Sequence, residues 1–323
     1  MGSLNINTHF KCNAKCIFCV VGIPDKLNCD SNGDSHTMSL ENIKKELLEG
    51  RKRGLTEVVF SGGEPTIYPY IVESVREASK LGYSEIQIKT NGIRLCDYDL
   101  VKDLNDAGTT TFCVSIQGPD AETHDKLIGV PGGFDKIMQG IENVHKVGNV
   151  LITPTCIQKD NYKLLPETVK MLVKIGTSHC SPTFIETNGS ALYRFTDLVP
   201  RYSETVSYLN EAICYLEEKQ VIYVIHGYPM CLIKGHEQKS LDLWRKDAVL
   251  AGSNIDDYSS YERDNFRYKG NACLKCRLNS ICCGPWLNYT KAYGFDEFEP
   301  YDVSSITDVI PAELLVYKFF ITS

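Results

Sequence analysis

Short apolar runs alternate with amphipathic segments along the first two-thirds of the chain. The runs are rich in β-branched and aromatic residues and predict strands, whereas the amphipathic segments carry apolar residues at helical spacing and predict helices. The predicted strands are Leu4–Asn7, Glu57–Phe60, Glu85–Lys89, Thr111–Ile116, Val150–Ile157 and Ser181–Ile185. The predicted helices are one that begins at Ser39, followed by Ile71–Leu81, Tyr98–Ala107, Phe134–Val147, Leu164–Ile175 and Tyr202–Lys219.

This alternation predicts parallel strands joined by crossover helices, which is an α/β fold. Six strand–helix units are too few for a closed eight-stranded barrel. Val221–His226 is a candidate for one more strand, and irregular sequence follows it. We therefore predict a core domain over residues 1–227 and a small C-terminal domain over residues 228–323.

Composition and charge narrow the class of protein. With 43% hydrophobic and 23% charged residues, the 323-residue chain has an ordinary globular composition. No apolar run of about 18 residues predicts a membrane span, and the first residues are too polar for a signal peptide. The net charge of −7 argues against nucleic acid as a partner. We therefore expect a cytoplasmic protein, in which the 14 cysteines bind metal more readily than they form disulfides.

Three cysteines follow the first predicted strand at C-x3-C-x2-C spacing, namely Cys12, Cys16 and Cys19. Thiolates packed this closely suit a soft metal centre. If they bind a [4Fe–4S] cluster, they leave one iron open to a substrate or cofactor, because such a cluster has four ligand positions. A structural zinc loop or a chance cluster is the alternative.

Together with the motifs at the strand ends, this pattern resembles the signature of the radical S-adenosylmethionine (radical SAM) enzymes, in which an aromatic residue, here Phe18, precedes the last cysteine. The resemblance implies an open partial (β/α)6 barrel, with a [4Fe–4S] cluster on the three cysteines and S-adenosylmethionine on the open iron. It also implies reductive cleavage of S-adenosylmethionine to a 5′-deoxyadenosyl radical, which removes a hydrogen atom from the substrate. Flavodoxin or ferredoxin is the expected electron donor.

The segment after the second predicted strand reads Gly62-Gly63-Glu64-Pro65. Two glycines allow close approach of the backbone to a ligand, and a glutamate can accept a hydrogen bond from an ammonium group. The resemblance identifies this segment as the binding motif for the methionine part of S-adenosylmethionine, with Pro65 stiffening the turn. A tight turn with a solvated glutamate is the alternative.

The resemblance assigns further contacts to the same cofactor. Asn91 and Ser115 are expected near the ribose or the methionine carboxylate, and Phe18 and Ile157 near the adenine. Asn91 could equally be a turn residue, Ser115 a strand-end hydroxyl and Ile157 a core residue. Lys89 is predicted to be an ordinary surface lysine of its strand.

A second group of cysteines lies near the C-terminus. Cys273, Cys276 and Cys282 resemble the auxiliary-cluster segments of the SPASM or Twitch type that follow many radical SAM barrels. Cys231 is the expected fourth ligand of one auxiliary [4Fe–4S] cluster, and Cys283 competes with Cys282. A structural zinc site is the alternative.

These features lead to three hypotheses of function. The first is a peptide-modifying radical SAM enzyme that cross-links or epimerises a ribosomally made peptide (a RiPP maturase). The second is a radical SAM enzyme acting on a small metabolite, such as a nucleoside or sugar precursor. The third is a non-catalytic metal-binding scaffold. The early position of Cys12 predicts that no leader-binding domain precedes the barrel, which weakens the first hypothesis.

Overall fold

The computed structural model describes residues 2–20, 37–243, 248–252 and 258–301. Its strands are β1 (Ser3–Asn7), β2 (Glu57–Ser61), β3 (Glu85–Thr90), β4 (Thr111–Val114), β5 (Val150–Ile157), β6 (His179–Phe184), β7 (Ile222–Tyr223) and β8 (Ala248–Leu250). Within the described ranges these eight strands form one sheet in the order β7-β6-β5-β4-β3-β2-β1-β8. All neighbours in this order are parallel.

Helices follow most of the strands, as the parallel connections require. Those of the barrel are α1 (Leu40–Lys52), α2 (Ile71–Lys80), α3 (Tyr98–Ala107), α4 (Ala121–Ile128), α5 (Gly133–Val147), α6 (Leu165–Lys174), α7 (Ser190–Tyr193), α8 (Phe195–Leu198) and α9 (Tyr202–Glu218). Two more, α10 (Tyr258–Phe266) and α11 (Leu287–Tyr293), belong to the C-terminal part.

Local sequence explains where the barrel helices begin and end. The Ser39 hydroxyl accepts a hydrogen bond from Asn42 N–H (3.1 Å) and starts α1. Asp97 and Asp120 cap α3 and α4 in the same way. Gly108 ends α3 with a φ of 117°, a backbone conformation that residues with a Cβ rarely adopt.

The sheet has two chemically different faces. The outer face is apolar and packs against the helices; Leu4 lies under Gly50 of α1, and Val114 lies against Ile137 of α5. The inner face, defined by the register of the parallel pairs, includes the polar residues Asn5, Asn7, Ser61, Gln87, Lys89, Ser115, Ser181 and Thr183, together with Val59, Cys113, Ile152, Pro154 and Cys156. The hydrophobic core therefore lies between sheet and helices, and the inner face is left for other chemistry.

The predicted α/β fold with parallel strands is confirmed, and the structure differs from the prediction in individual elements. The candidate strand after α9 forms only over β7, at one edge of the sheet. At the other edge, β8 pairs with β1, and this strand was not predicted. Helix α4 was also missed, although Asp120 and Gly129 are ordinary signals for its two ends.

The C-terminal part packs against the end of the barrel through aromatic side chains. The rings of Phe184 and Tyr202 stack with centroids 3.9 Å apart, and Tyr228 and Tyr289 meet them edge-on or tilted. The domain boundary near Tyr228 stays a prediction, and residues 302–323 of the predicted domain lie outside the described ranges.

Candidate cofactor and metal sites

The three N-terminal cysteines lie in a loop that follows β1 at the C-terminal end of the sheet. Two backbone hydrogen bonds join this loop to the segment after β2. Gly63 N–H donates to the carbonyl of His9 (2.6 Å), and Glu64 N–H donates to that of Lys11 (2.9 Å). The first and second predicted motifs are thus in direct contact.

Helices α4 and α7 hold the same loop from other sides. Lys15 N–H donates to the carbonyl of Ile128 at the end of α4 (2.8 Å), and Ser190 N–H donates to the carbonyl of Cys19 (3.0 Å). The loop has no regular secondary structure of its own, so these bonds fix its path.

The cysteine side chains face one another closely enough to interact. Burial raises the pKa of the Cys16 thiol to about 12, with additional contributions from the charges of Cys19 and Cys12. Three thiolates at this separation would repel one another unless a positive centre lay among them. The donor set therefore fits an iron–sulfur cluster, which thiolates bind preferentially.

Gly62 and Gly63 lie where the backbones of the two motifs touch. A Cβ at Gly62 would lie 2.3 Å from the carbonyl oxygen of His9, and one at Gly63 would lie 2.1 Å from that of Lys11. Gly62 also has a φ of 124°. The glycines are thus required by contact with the cysteine loop, whatever their contact with a cofactor.

Glu64 is fully buried, and its side chain joins the segment after β2 to the end of β3. Its Oε1 accepts from the Thr66 N–H (3.0 Å) and from the hydroxyls of Thr66 and Thr90. Its Oε2 accepts from the Asn91 N–H at 2.7 Å. Burial raises the pKa of this carboxyl group, and the four hydrogen bonds act in the opposite direction. Because a carboxylate offers about four lone-pair sites, Oε2 keeps capacity for one more donor.

Asn91 connects this carboxylate to the cysteine loop. Its side-chain Nδ2 donates to Asn13 Oδ1 (2.7 Å) and approaches Cys12 Sγ (3.6 Å). Its Oδ1 accepts from Ile93 N–H (3.0 Å), which makes the tight turn after β3. Asn91 is therefore both a turn residue and a neighbour of the cysteine loop.

The remaining predicted cofactor contacts lie nearby in different environments. Ser115 follows β4 on the inner face, and Phe18 is partly buried against the core. Pro65 is buried and starts a short 3-10 turn. Ile157 is fully buried in the core at the end of β5. Contact of these residues with S-adenosylmethionine stays a prediction.

The four predicted auxiliary-cluster cysteines line one cavity in the C-terminal part. Its cysteines are Cys231, Cys273, Cys276 and Cys282. Burial, together with the charges of Cys282, Cys273 and Cys276, raises the pKa of the Cys231 thiol to about 12. Four mutually repelling thiols around one cavity fit a metal centre with four protein ligands.

Cys283 points to a different set of groups from its neighbour Cys282. Burial and the charge of Asp242 raise its pKa to about 12, and the charge of Arg267 lowers it. The Cys282 sulfur instead accepts from Gly284 N–H at 3.3 Å and lines the four-cysteine cavity. The structure thus places Cys282 with the other three cysteines.

Arg267 is the centre of a buried ionic group that sequence reasoning missed. Its guanidinium donates to Glu262 Oε1 (2.9 Å), lies 3.6 Å from Asp242 and stacks 3.5 Å over the Trp286 ring. His226, expected only to pack or face solvent, lies 3.8 Å from the same Glu262 oxygen. His226, Asp242 and Glu262 are close enough to hold a cation, but Arg267 already supplies the positive charge.

A sequence profile of the "Radical SAM superfamily" matches residues 6–172, which contain the cysteine loop, the two glycines, Glu64 and Asn91. The chain belongs to the radical SAM superfamily. Members are S-adenosylmethionine-dependent iron–sulfur enzymes, and membership implies S-adenosylmethionine and a [4Fe–4S] cluster for this chain.

Curated relatives match the barrel of this radical SAM protein. A probable GTP 3′,8-cyclase of Saccharolobus solfataricus is 33% identical over 147 residues, which are 46% of this chain and 44% of that protein. An AdoMet-dependent heme synthase of Methanosarcina barkeri is 28% identical over 165 residues, 51% of this chain and 45% of that protein. The chain thus spans less than half the length of these relatives.

Solved structures resemble the radical SAM chain over nearly its whole length. SuiB of Streptococcus suis bound to S-adenosylmethionine has a TM-score of 0.65 at 18% identity, covering 94% of this chain and 76% of SuiB. The protein anSMEcpe with bound AdoMet has a TM-score of 0.61 at 16% identity, covering 89% and 90%. These likenesses confirm the partial-barrel fold. In the described part of the chain, no helix is long and apolar enough to cross a membrane.

A hydrogen-bond network beside the site also escaped prediction. The Gln117 side chain accepts from Cys156 N–H (2.9 Å), and Asn161 Nδ2 donates to the carbonyls of Gln117 and Cys156 (both 2.8 Å). His124 Nδ1 accepts from Gln117 N–H at 3.0 Å. The network ties the ends of β4 and β5 together, and no spacing pattern in the sequence indicates it.

Proposed function

We propose that this chain is a radical SAM enzyme that modifies a peptide. The observation that carries the radical SAM activity is the direct attachment of the cysteine loop to the Gly63–Glu64 segment, which puts both halves of one cofactor site together. When bound, the cluster and S-adenosylmethionine supply one-electron chemistry that removes a hydrogen atom from a substrate.

The chain's own residues prepare this site. Cys12, Cys16 and Cys19 would hold the cluster, and the Cβ-free backbone of Gly62 and Gly63 keeps the loop close. Glu64 offers its remaining acceptor capacity to an ammonium group. Phe18, Pro65, Asn91, Ser115 and Ile157 are the further proposed contacts of S-adenosylmethionine.

A second [4Fe–4S] cluster on Cys231, Cys273, Cys276 and Cys282 is part of the proposal. Four thiols converge on one cavity, so this centre would have a complete set of protein ligands and no open iron. A zinc ion is the alternative occupant.

The peptide substrate is supported by the extent of the structural likeness. SuiB, which has also been solved bound to the precursor peptide SuiA, covers 95% of this chain with a TM-score of 0.63. The likeness to a probable GTP 3′,8-cyclase covers only 147 residues of the barrel. That 33% identity is the observation favouring the second candidate, a nucleotide substrate.

Anaerobic reconstitution with iron and sulfide, followed by dithionite reduction with S-adenosylmethionine, tests the proposed activity. We expect 5′-deoxyadenosine from the wild type and from C214A, whose exposed cysteine lies on α9, and none from C12A, C16A or C19A. Bound zinc in place of iron, or 5′-deoxyadenosine from all variants, would contradict the site. Flavodoxin or ferredoxin should replace dithionite, in line with a cytoplasmic enzyme.

Product analysis distinguishes the peptide hypothesis from the nucleotide hypothesis. Incubation with GTP should leave GTP unchanged, and a short peptide encoded beside this gene should change mass or stereochemistry. Conversion of GTP would replace the peptide proposal with the nucleotide one.

A further inference from the structure

The inner face of the sheet carries polar side chains on β1, β2 and β3, beside Val59. Asn5 and Asn7 of β1, Ser61 of β2, and Gln87 and Lys89 of β3 all share it by register. The inner face of a closed β/α barrel is normally filled by bulky branched residues. Here the polar side chains of these three strands suit a polar ligand.

Lys89 is the charged residue of this face nearest to the cofactor site. The alternation along β3 buries Ile88 and Thr90 on the outer face and leaves Lys89 exposed on the inner one. Its register partner on β4 is Cys113. Burial raises the pKa of the Cys113 thiol, and the nearby charge of Lys89 acts in the opposite direction. The next residues, Thr90 and Asn91, bind Glu64.

No carboxylate of the described ranges forms an ion pair with Lys89, although the chain carries a net charge of −7. Glu57 and Glu85 lie at the opposite ends of their strands, about 13 Å away along β3. Glu186 follows β6, three strand spacings or about 14 Å across the sheet. In the described part of the chain, the positive charge of Lys89 therefore lies on the inner face without an ion-pair partner.

We propose that Lys89 binds an anionic group of the substrate, either a carboxylate or a phosphate. The inference rests on the proposed function, because it takes the inner face to be the substrate's side of the site. An ammonium group at this place would form a charge-assisted hydrogen bond with the anion and orient the substrate beside the reactive cofactor. Lys89 is thus a specificity residue and not the surface lysine that its sequence context predicts.

Lysine footprinting tests this on the reconstituted protein with S-adenosylmethionine bound. Acetylation by acetic anhydride is followed by mass spectrometry, with tripolyphosphate or tricarballylate as the added anion and sodium chloride matching the ionic strength. We expect at least one anion to slow acetylation of Lys89 threefold or more, while Lys45, exposed on α1, is unchanged.

Protection by tripolyphosphate alone supports a phosphate group, and protection by tricarballylate supports a carboxylate. No protection, or equal protection of Lys45, overturns the proposal. Calorimetry with the protecting anion adds a second measurement. K89M should bind it at least tenfold more weakly than the wild type, and K89R within about threefold, because arginine keeps the charge; equal binding by K89M also overturns the proposal.

The same samples are assayed for 5′-deoxyadenosine. Its formation without protection of Lys89 would leave the proposed function standing and remove the anion site. Protection of Lys89 without formation of 5′-deoxyadenosine would leave the anion site standing and contradict the proposed function.

Discussion

Glu64 and Asn91 are joined by a hydrogen bond of 2.7 Å from the Asn91 N–H to Oε2 of the buried carboxylate. With the bonds from Thr66 and Thr90, it makes Glu64 the link between the ends of β2 and β3. The glutamate of this superfamily motif therefore has a structural role in addition to its proposed contact with the cofactor.

E64Q should weaken both roles. The glutamine amide group would bring N–H donors against the N–H or hydroxyl donors that now meet the carboxylate, and at least one buried donor would lose its partner. We expect a loss of about 1–3 kcal/mol in the free energy of unfolding and at least tenfold weaker binding of S-adenosylmethionine. Urea unfolding and equilibrium dialysis measure the two effects. E77Q, which alters a carboxylate near the surface of α2, is the control. Unchanged stability of E64Q would contradict the linking role.

G63A should displace the cysteine loop. Its Cβ would lie 2.1 Å from the Lys11 oxygen, so the two backbones must separate. We expect iron bound after reconstitution to fall by about four atoms per chain, the content of one cubane cluster. G82A is the control for backbone strain alone, because Gly82 has a φ of 79° and a Cβ there would contact nothing. Full iron loading of G63A would show that the contact is not needed.

Replacement by serine should lower the iron content at Cys282 and leave it unchanged at Cys283. C282S removes a cysteine of the four-cysteine cavity, and we expect about four fewer iron atoms per chain. C283S alters a thiol that faces Asp242 and Arg267, and its iron content should match the wild type. Iron analysis with Mössbauer spectroscopy distinguishes the two. The opposite outcome would assign the ligand to Cys283.

The R267M substitution should lower the stability of the C-terminal part. Removal of the guanidinium leaves Asp242 and Glu262 as buried carboxylates without a counter-charge, at a cost of about 3–5 kcal/mol. The melting temperature should fall accordingly, and R263M, at an exposed arginine of α10, should match the wild type. A stable R267M would mean that His226 or solvent neutralises the carboxylates.

His124 should make stability depend on pH. Burial lowers its pKa to about 4, below the ordinary value of 6.5. Between these values the unfolded chain binds more protons than the folded one, so stability falls as the pH falls. From pH 7 to pH 5 the loss should be about 2 kcal/mol.

H124N keeps an acceptor for Gln117 N–H and removes the titration. Urea unfolding of both proteins at the two pH values measures the difference between them. An equal loss in both proteins would assign the pH dependence to other groups.

Local signals account for the parts of the fold that the sequence predicts well. Helix α3 has its predicted bounds because Asp97 and Gly108 act within one turn of its ends. Strand β5 matches its predicted bounds because burial alternates along it. Strand β8, by contrast, has only three residues, and its pairing with β1 depends on the whole barrel.

The same division applies to the candidate sites. Spacing indicated the three N-terminal cysteines and three of the four C-terminal ones, and the resemblance to radical SAM enzymes added Cys231. Their role as ligands stays a prediction. Spacing could not choose between Cys282 and Cys283, because adjacent residues point in different directions. Nor could it find Arg267, whose partners Asp242 and Glu262 come from separate segments and meet only in the fold.

The pairing of β8 with β1 has a consequence for synthesis of the protein. Ser3 finds its partner Ala248 only after most of the chain has left the ribosome. Until then the free side of β1 exposes unpaired backbone groups, which invite association with other nascent chains. During this time the cysteine loop that follows β1 is attached to a sheet that still lacks β8. Translation order therefore favours delivery of iron after release, and a chaperone that shields this edge would raise the yield of metal-loaded protein.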